Sequence, residues 1–444
     1  MNSNVFYRNL KAPLLEVDHG ENIYLYDKFG KKYIDACSGA AVSNIGHANQ
    51  RVITAMTNQA KKVAFSHLSR WTSPSIEEVS NLVNKLAPGS LGKVYMVSGG
   101  SEATEAALKM ARQYYLERDG ISGKYKIIAR QKAYHGNTIG SLSMTGDKRR
   151  KNYTPLLLDF PHIAPAYCYR CPFGKCQDSC SIECAYDLER VITEHGADTI
   201  AGFIAETVGG AACGAIVPPK NYFKIIRQIC DHYDILYIDD EVMTGFGRTG
   251  KMFACENWNL IPDLVCAAKG MSAGYSPLGA VIAKAEIYDT FKKGSGSFIH
   301  GHTYGGNPLS AAVSTEVIKI LIEENLAENA RIVGNYLLTQ LKEKILPFSF
   351  VGDVRGIGLM IGVELVQDKA TKEPFPLNKG VAGKITQVLI KHGVIVYPGS
   401  GNAKDGNGDH FLLTPPLIIT KDQIDELIEQ MIAGFTEFES SLNS

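Results

Sequence analysis

Short apolar runs alternate with helical patterns through the middle of this chain, and this alternation limits the possible folds more than any other feature. The runs typical of buried strands are Val94–Val97, Lys126–Ala129, Gly202–Ala205, Ile235–Ile238, Leu264–Ala267 and Ala280–Ala283. Strands that alternate with helices predict a mainly parallel sheet between layers of helices. Because ligands of such sheets bind at the carboxyl ends of the strands, residues directly after each run are the first candidates for a functional site.

The two ends of the chain differ from this middle part. Asn22–Tyr26 and Lys32–Asp35 are typical of short antiparallel strands joined by a turn, and Gly358–Glu364 is a strand candidate among helical patterns. A chain of 444 residues is too long for one simple core. We therefore divide it into residues 1–55, 56–329 and 330–444. The first and last segments are expected to form one small α+β domain, and the middle segment a large domain.

Charge and hydropathy argue against several classes of protein. Lys plus Arg and Asp plus Glu number 46 each, which gives a formal net charge of zero, whereas nucleic-acid binders usually carry a basic excess or a basic stripe. No stretch is long and apolar enough for a membrane span, and the first residues lack the apolar core of a secretion signal. We therefore expect a cytoplasmic protein with reduced thiols that binds neither nucleic acid nor membranes.

Two chemically complementary groups each follow a predicted strand. Asp240 comes after one apolar run, and Lys269 ends the next run and is followed by Gly-Met-Ser-Ala-Gly. Most lysines are solvated charges, but burial here would lower the pKa of Lys269 and favour the neutral amine that attacks aldehydes. A lysine that forms a Schiff base and a carboxylate that keeps a ring nitrogen protonated are what pyridoxal 5'-phosphate requires. Since Asp239 and Glu241 flank Asp240, a metal site is the alternative.

Other strand ends carry groups suited to a flat phosphorylated ligand. In Ser98–Ala103, glycines would let the N–H groups of Gly100 and Ser101 approach a phosphate at a helix N-terminus, and an ordinary helix start is the alternative. The third glycine of a dinucleotide-binding motif is missing. Thr303, in a glycine-rich loop before a helical pattern, could also reach a phosphate.

A second set of residues could hold the ring of such a ligand. Tyr134 and His135 follow the Lys126–Ala129 run, and Tyr134 could stack on the ring, although simple packing is the alternative. Val242 would lie on the same side of an extended chain as Asp240, and it could press on the opposite face of the ring.

The chain resembles the class III branch of pyridoxal-phosphate-dependent aminotransferases, the ω-aminotransferase group of fold type I, in Asp27–Asp35, Gly46–His47, Ser98–Ala103, Tyr134–Gly136, Asp240–Val242, Gly245–Gly250, Lys269–Gly270, Thr303 and Val354–Gly356. This resemblance covers nearly the whole chain. It implies an α/β fold whose large domain has a mainly parallel, seven-stranded type of sheet between helices, beside a small α+β domain built from both termini.

The resemblance also implies a role for each matching residue. Lys269 would hold the cofactor as a Schiff base and move the proton, and Asp240 would pair with the ring nitrogen. Tyr134 and Val242 would sandwich the ring, with His135 beside it, and Gly100 and Ser101 would hold the phosphate. Glu206 matches a glutamate near the cofactor. Thr303 matches a residue that reaches the phosphate of the neighbouring subunit, which implies a homodimer with shared active sites.

Departures from the family pattern bear on the substrate. Met243 and Ala211 stand where the branch that handles 4-aminobutyrate and ornithine has glutamine and glutamate, so this branch is disfavoured. Arg355 is the last arginine, although many amine:pyruvate members clamp the substrate carboxylate with an arginine near the C-terminus.

Carboxylate recognition must therefore come from another cation or be weak. Lys404 is the only cation in the corresponding loop, residues 398–408, and Arg170 and Arg70 are the further candidates. We favour Arg170, because a lysine cannot replace a bidentate guanidinium at equal strength.

The resemblance implies a ping-pong transaminase that moves an amino group from an ω-amino acid, a β-amino acid or a primary amine to a keto acid such as pyruvate. Racemisation, epimerisation or decarboxylation of amino acids with the same cofactor is one alternative. A non-catalytic metal-binding protein on an aminotransferase scaffold is an alternative of another class, since fold alone does not decide chemistry.

Five of the ten cysteines crowd into one segment, at Cys168, Cys171, Cys176, Cys180 and Cys184. Their thiolates could hold zinc, but the spacing is not that of a standard zinc ribbon or finger. If the second half is helical, the last three share one face and are buried small apolar groups. We predict no metal site, and we expect the segment to shape the entrance of the active site.

Overall fold

The computed structural model describes residues 3–11, 14–89, 91–120, 123–175 and 179–442. Its strands are β1 (Val17–Glu21), β2 (Tyr24–Asp27), β3 (Lys32–Asp35), β4 (Leu91–Val97), β5 (Lys126–Arg130), β6 (His162–Ile163), β7 (Ile200–Glu206), β8 (Leu236–Asp240), β9 (Leu264–Ala267), β10 (Gly279–Lys284), β11 (Val351–Ile357), β12 (Met360–Leu365), β13 (Val394–Ile395), β14 (Tyr397–Ser400) and β15 (Asp409–Leu413). Its helices are α1 (Ser38–Ala41), α2 (Gln50–Lys62), α3 (Pro74–Leu86), α4 (Gly100–Asp119), α5 (Ile139–Met144), α6 (Glu183–His195), α7 (Tyr222–His232), α8 (Ala285–Lys293), α9 (Pro308–Glu323), α10 (Leu326–Lys344), α11 (Val381–Lys391) and α12 (Lys421–Leu442).

A seven-stranded sheet forms the centre of the molecule, in the order β4-β10-β9-β8-β7-β5-β6. Strands β9, β8, β7, β5 and β6 pair in parallel, and β10 is antiparallel to both of its neighbours. All six predicted strands lie in this sheet. The prediction of a mainly parallel sheet of the seven-stranded type is therefore confirmed.

Both faces of this sheet are covered by helices. In β7, Phe203 and Ala205 belong to the apolar cluster that includes α6 and α7, whereas Ala201 and Ile204 belong to the cluster that includes α4 and α8. Every residue of β7 is buried. This double burial explains why the strands of the parallel sheet are continuous apolar runs rather than alternating ones.

Two smaller four-stranded sheets contain the strands near the chain ends, in the orders β1-β2-β3-β13 and β11-β12-β15-β14. The predicted antiparallel pair is β2 with β3. Strand β13 joins it in parallel, with Val394 opposite Ile34. This pairing brings the first and last segments together, as a small domain built from both termini requires. The domain boundaries themselves stay a prediction.

None of the helices in the described ranges is long and apolar enough to cross a membrane. The expected cytoplasmic location stays a prediction.

Candidate active site

A cavity of about 370 Å³ opens at the carboxyl ends of the parallel strands of the central sheet. Its lining contains eight of the predicted site residues: Gly100, Ser101, Tyr134, His135, Glu206, Asp240, Val242 and Lys269. They come from the ends of β4, β5, β7, β8 and β9 and from the segments that follow. Parallel strands present their carboxyl ends at one edge, which is why residues far apart in sequence meet here.

Lys269 lies two residues beyond the end of β9. Its φ is +46°, in the left-handed region that costs a residue with a side chain about 1–3 kcal/mol. Burial lowers the pKa of its amine, and the carboxylates of Asp240 and Glu206 partly oppose that shift. The amine is therefore more easily deprotonated than that of a solvated lysine, as the sequence predicts.

Asp240 is held at the end of β8 by a buried histidine. Its Oδ2 lies 2.7 Å from Nδ1 of His135, and its Oδ1 accepts a hydrogen bond from the Val242 N–H at 3.1 Å. The backbone N–H of His135 in turn donates to Thr145 Oγ1 at 3.0 Å. This arrangement fixes the position of the carboxylate at the base of the cavity.

Glu206, at the end of β7, ties two loops of the cavity wall together. Its Oε2 accepts from the Tyr134 N–H at 3.2 Å, and its Oε1 accepts from the Gly210 N–H at 2.9 Å. Burial raises the pKa of this carboxyl group, although nearby His135 acts in the opposite direction. The role of Glu206 in this geometry is to hold the loop that carries Tyr134.

The first turn of α4 supplies anion-binding groups to the same cavity. Gly99 precedes the helix and makes no side-chain cap, so the first N–H groups of Gly100 and Ser101 are available to a ligand. A Cβ atom added to Gly100 would lie only 2.7 Å from Cγ1 of Val242. Glycine at this position therefore lets the helix start approach the segment after β8.

Four predicted residues do not line the cavity. Thr303, Arg70 and Lys404 are exposed. Arg170 is engaged elsewhere, because its Nε donates to Glu364 Oε1 at 2.5 Å and its Nη1 donates to the Lys372 carbonyl at 2.8 Å. The proposed roles of these four residues stay predictions that this single chain does not support.

The cavity wall contains other cations that the sequence reasoning missed. Arg149 and Arg8 both line it, and Tyr397 adds an aromatic side chain. Arg149 belongs to the basic run Lys148–Lys151, which indicates a positive segment but not which of its side chains faces a ligand.

The cysteine segment is only partly described, because Cys176 lies outside the described residues. Cys168 is exposed, Cys171 and Cys180 are half-buried, and Cys184 is buried in α6. Within the described ranges, the one group with metal-ligand spacing is Asp239, Glu241 and Cys255, whose ligand atoms lie within 4.8 Å of one another. The crowded cysteines do not belong to that group.

Hydrogen bonds account for most of the oxygen atoms in that acidic group. Thr207 Oγ1 donates to Asp239 Oδ1 at 2.7 Å, and Glu241 accepts from the Cys255 N–H at 2.8 Å and from Thr244 Oγ1. Burial raises the pKa of Asp239 well above its ordinary value, and the charge of Glu241 adds to that shift. Burial also raises the pKa of Glu241. The pair therefore keeps a proton at pH values where exposed carboxylates have lost theirs.

Comparison with known proteins identifies the family. The family described as aminotransferase class-III matches residues 5–434. The chain belongs to the class III aminotransferases. This aminotransferase is 36% identical over 429 residues to YodT of Bacillus subtilis strain 168, an uncharacterized aminotransferase, with 96% of each chain covered. It is 38% identical over 428 residues to gamma aminobutyrate transaminase 2 of Solanum lycopersicum, with 93% of this chain and 90% of the relative covered.

A solved structure supports the same assignment. The amine transaminase from an uncultivated Pseudomonas species, in its PLP-bound form, is 33% identical to this aminotransferase and has a TM-score of 0.91 over 98% of this chain and 100% of that one. Class III aminotransferases use pyridoxal 5'-phosphate. The predictions of the family, of fold type I and of a PLP-dependent transaminase are confirmed.

Proposed function

We propose that this aminotransferase moves an amino group from an ω-amino acid, a β-amino acid or a primary amine to a keto acid such as pyruvate by a ping-pong mechanism. Lys269 is the residue that anchors pyridoxal 5'-phosphate as a Schiff base. The observation that carries the proposal is the meeting of the Lys269 amine and the Asp240 carboxylate in one cavity, at the ends of the adjacent strands β9 and β8.

The residues present fit each part of the cofactor. The amine of Lys269, with its lowered pKa, suits the aldehyde, and the Asp240 carboxylate suits a protonated ring nitrogen. The free N–H groups at the start of α4, at Gly100 and Ser101, suit the phosphate. Tyr134 and Val242 on the cavity wall suit the two faces of the ring.

When bound, the cofactor withdraws electrons from the substrate carbon next to the amino group. Lys269 then acts as the base that takes a proton from that carbon, and as the acid that returns it at the neighbouring position. Asp240, oriented by His135, would pair with the ring nitrogen and favour its protonated form. Glu206 holds the backbone at Tyr134 so that the ring of this tyrosine is positioned before the substrate enters.

The relatives support a donor with a primary amine at the end of a short chain. The tomato relative is named a gamma aminobutyrate transaminase, and the solved structure is an amine transaminase. We therefore keep 4-aminobutyrate among the candidate donors, although the sequence pattern at Met243 and Ala211 disfavours it. Both residues line the cavity, so they are positioned to affect the choice of donor.

We also propose a homodimer, on the basis of the surface around Thr303. The exposed side chains of Phe65 and of Tyr304, the residue after Thr303, pack edge to face at 5.7 Å between ring centroids, and Ile299, four residues before Thr303, is 77% exposed. Exposed apolar groups of this kind are typical of interaction surfaces. A second subunit on this surface is what the predicted contact of Thr303 with a phosphate requires. Sedimentation equilibrium of the holoenzyme tests this, and a monomer would contradict it.

Replacing Lys269 with alanine tests the proposed function directly. Lys269→Ala should lose the absorbance band of the covalently bound cofactor, and amine-dependent bleaching should fall by at least about 10²-fold, because both the anchor and the proton carrier are removed. Borohydride reduction of the wild-type holoenzyme followed by peptide mass mapping should locate the trapped cofactor at residue 269. A trapped cofactor at another lysine would rule the proposal out. Product formation with and without pyruvate separates transamination from racemisation and decarboxylation.

A further inference from the structure

A keto-acid substrate requires a cationic group that binds its carboxylate, and the predicted candidates Arg170, Arg70 and Lys404 do not line the cavity. Besides Lys269, the lysine and arginine side chains on the described part of the cavity wall are those of Arg149 and Arg8. Arg8 is exposed in the segment before β1. Arg149 is 24% exposed at its side chain and is held by neighbouring residues.

Contacts with two residues, Asp147 and Tyr134, hold Arg149 in place. It lies in a short 3-10 turn, Lys148–Arg150, capped by Asp147, whose Oδ1 accepts from the Arg149 N–H at 2.8 Å. Asp147 Oδ2 also accepts from Nη1 of Arg149. The guanidinium lies over the ring of Tyr134, at 4.6 Å from the ring centroid. Stacking on an aromatic ring and pairing at one end are how an arginine is preorganised for a planar anion.

The guanidinium of Arg149 has hydrogen-bond donors that its contact with Asp147 does not use. Nε and Nη2 of Arg149 make no hydrogen bond within the described ranges, and neither atom is buried without a partner. The carboxylates that share the cavity, Asp240 and Glu206, are already bound by His135 and by backbone N–H groups. Nε and Nη2 of Arg149 can therefore donate hydrogen bonds to a carboxylate of the substrate.

We propose that Arg149 binds the carboxylate of the keto acid and of amino-acid donors, and that it thereby selects substrates that carry an acid group. This inference rests on the proposed transaminase function and names the substrate class of the same site. Apolar side chains such as Val42, Ala211 and Met243 line the same cavity, which suits a short carbon chain between the reacting group and the acid. Burial is the main cause of the lowered pKa of Lys269, and the positive charge of Arg149 lowers it further. The two groups therefore lie close enough to interact electrostatically.

The experiment compares acceptors with and without an acid group. Holoenzymes carrying Arg149→Met, Arg149→Lys and the control Lys151→Met are tested against pyruvate and against butanal, a neutral acceptor. Lys151 is exposed, directly follows the same turn and does not line the cavity. Its substitution therefore removes one positive charge near Arg149 without changing the cavity wall.

Arg149→Met should raise KM for pyruvate about ten- to a hundredfold while KM for butanal stays within twofold, because only the charged hydrogen bonds to the acid are lost. Arg149→Lys should give an intermediate KM for pyruvate, since it keeps the charge but not the fork. Lys151→Met should match the wild type with both acceptors. Calorimetric titration with butyrate, which cannot react, should show weaker binding to Arg149→Met than to the wild type.

Two results would overturn the proposal. An unchanged KM for pyruvate in Arg149→Met would show that another group binds the acid. An equal rise for pyruvate and butanal, with unchanged butyrate binding, would show that Arg149 acts only by supporting Tyr134. If no amine bleaches the cofactor of the wild-type enzyme, the proposed transaminase function is wrong. The assignment of Arg149 as a carboxylate-binding residue is then decided by the butyrate titration alone.

Discussion

Asp239, Asp240 and Glu241 are three consecutive acidic residues with different chemistry. Side chains alternate along a strand, so Asp240 lines the cavity with His135, whereas Asp239 and Glu241 lie together beside Cys255. Asp240 is the one of the three that lies beside a histidine, with 2.7 Å between its Oδ2 and Nδ1 of His135. Burial raises the pKa of both of its neighbours.

The raised pKa of Asp239 predicts a measurable pH dependence of stability. A carboxyl group whose pKa is raised by folding stabilises the fold below its unfolded pKa of about 4, and this contribution is lost as pH rises through the folded value. Asp239→Asn removes the ionisation, so its melting temperature should fall less than that of the wild type between about pH 5 and pH 8. The matched control is Asp198→Asn in the turn before β7. Equal losses in wild type and Asp239→Asn would contradict the raised pKa.

Close packing between elements requires glycine at one position in a helix and not at another. A Cβ atom added to Gly334 in α10 would lie 2.2 Å from the carbonyl oxygen of Gly358, in the turn between β11 and β12. Around Gly383 in α11 no atom lies within 4 Å of an added Cβ. Glycine inside a helix costs about 0.5–1 kcal/mol of stability relative to alanine. The close approach of Gly358 offsets this cost at Gly334, and the described residues make no such contact at Gly383.

These two glycines form a matched pair of variants. Gly383→Ala should raise the free energy of unfolding by about 0.5 kcal/mol, because it removes the entropic cost of glycine. Gly334→Ala should lower it by about 1–3 kcal/mol, because the added methyl group pushes α10 away from the turn. Urea unfolding of the two variants checks both signs. A stabilised Gly334→Ala would mean that the turn at Gly358 moves without cost.

A buried ionic cluster joins distant parts of the molecule. Glu364 in β12 has a fully buried side chain, and it accepts hydrogen bonds from Arg355 at 2.7 Å, from Arg170 at 2.5 Å and from Tyr167. Although burial acts to raise it, the two guanidinium groups hold the pKa of Glu364 below its ordinary value. For Arg170 to bind a substrate, as the sequence analysis favours, it would have to leave this ion pair.

Arg170→Ala distinguishes these roles. It should lower the free energy of unfolding by about 1–3 kcal/mol at neutral pH, because Glu364 loses a partner in a buried position. A carboxyl group whose pKa is lowered by folding stabilises the fold above its unfolded pKa of about 4, and this contribution is lost as the pH falls through the lower folded value, so the difference from the wild type should shrink below about pH 4. KM for pyruvate should stay unchanged. A selective rise in that KM with unchanged stability would restore the prediction that Arg170 binds the acid.

By itself the sequence determined six of the seven strands of the central sheet, all but β6, and the residues Lys269, Asp240, Tyr134 and Gly100 at their ends. These features depend on local patterns: a buried parallel strand is an apolar run, and its carboxyl end lies where the run stops.

Only the tertiary structure decided which cation reaches the cavity. Arg170 lies 194 residues from Glu364, and nothing in the local sequence of either residue predicts their ion pair. Arg149 is one of four consecutive basic residues, and it lines the cavity because the turn after α5 directs this side chain to Tyr134. Ion pairs of this kind form between segments that are distant in the sequence, and local sequence patterns do not predict which segments meet.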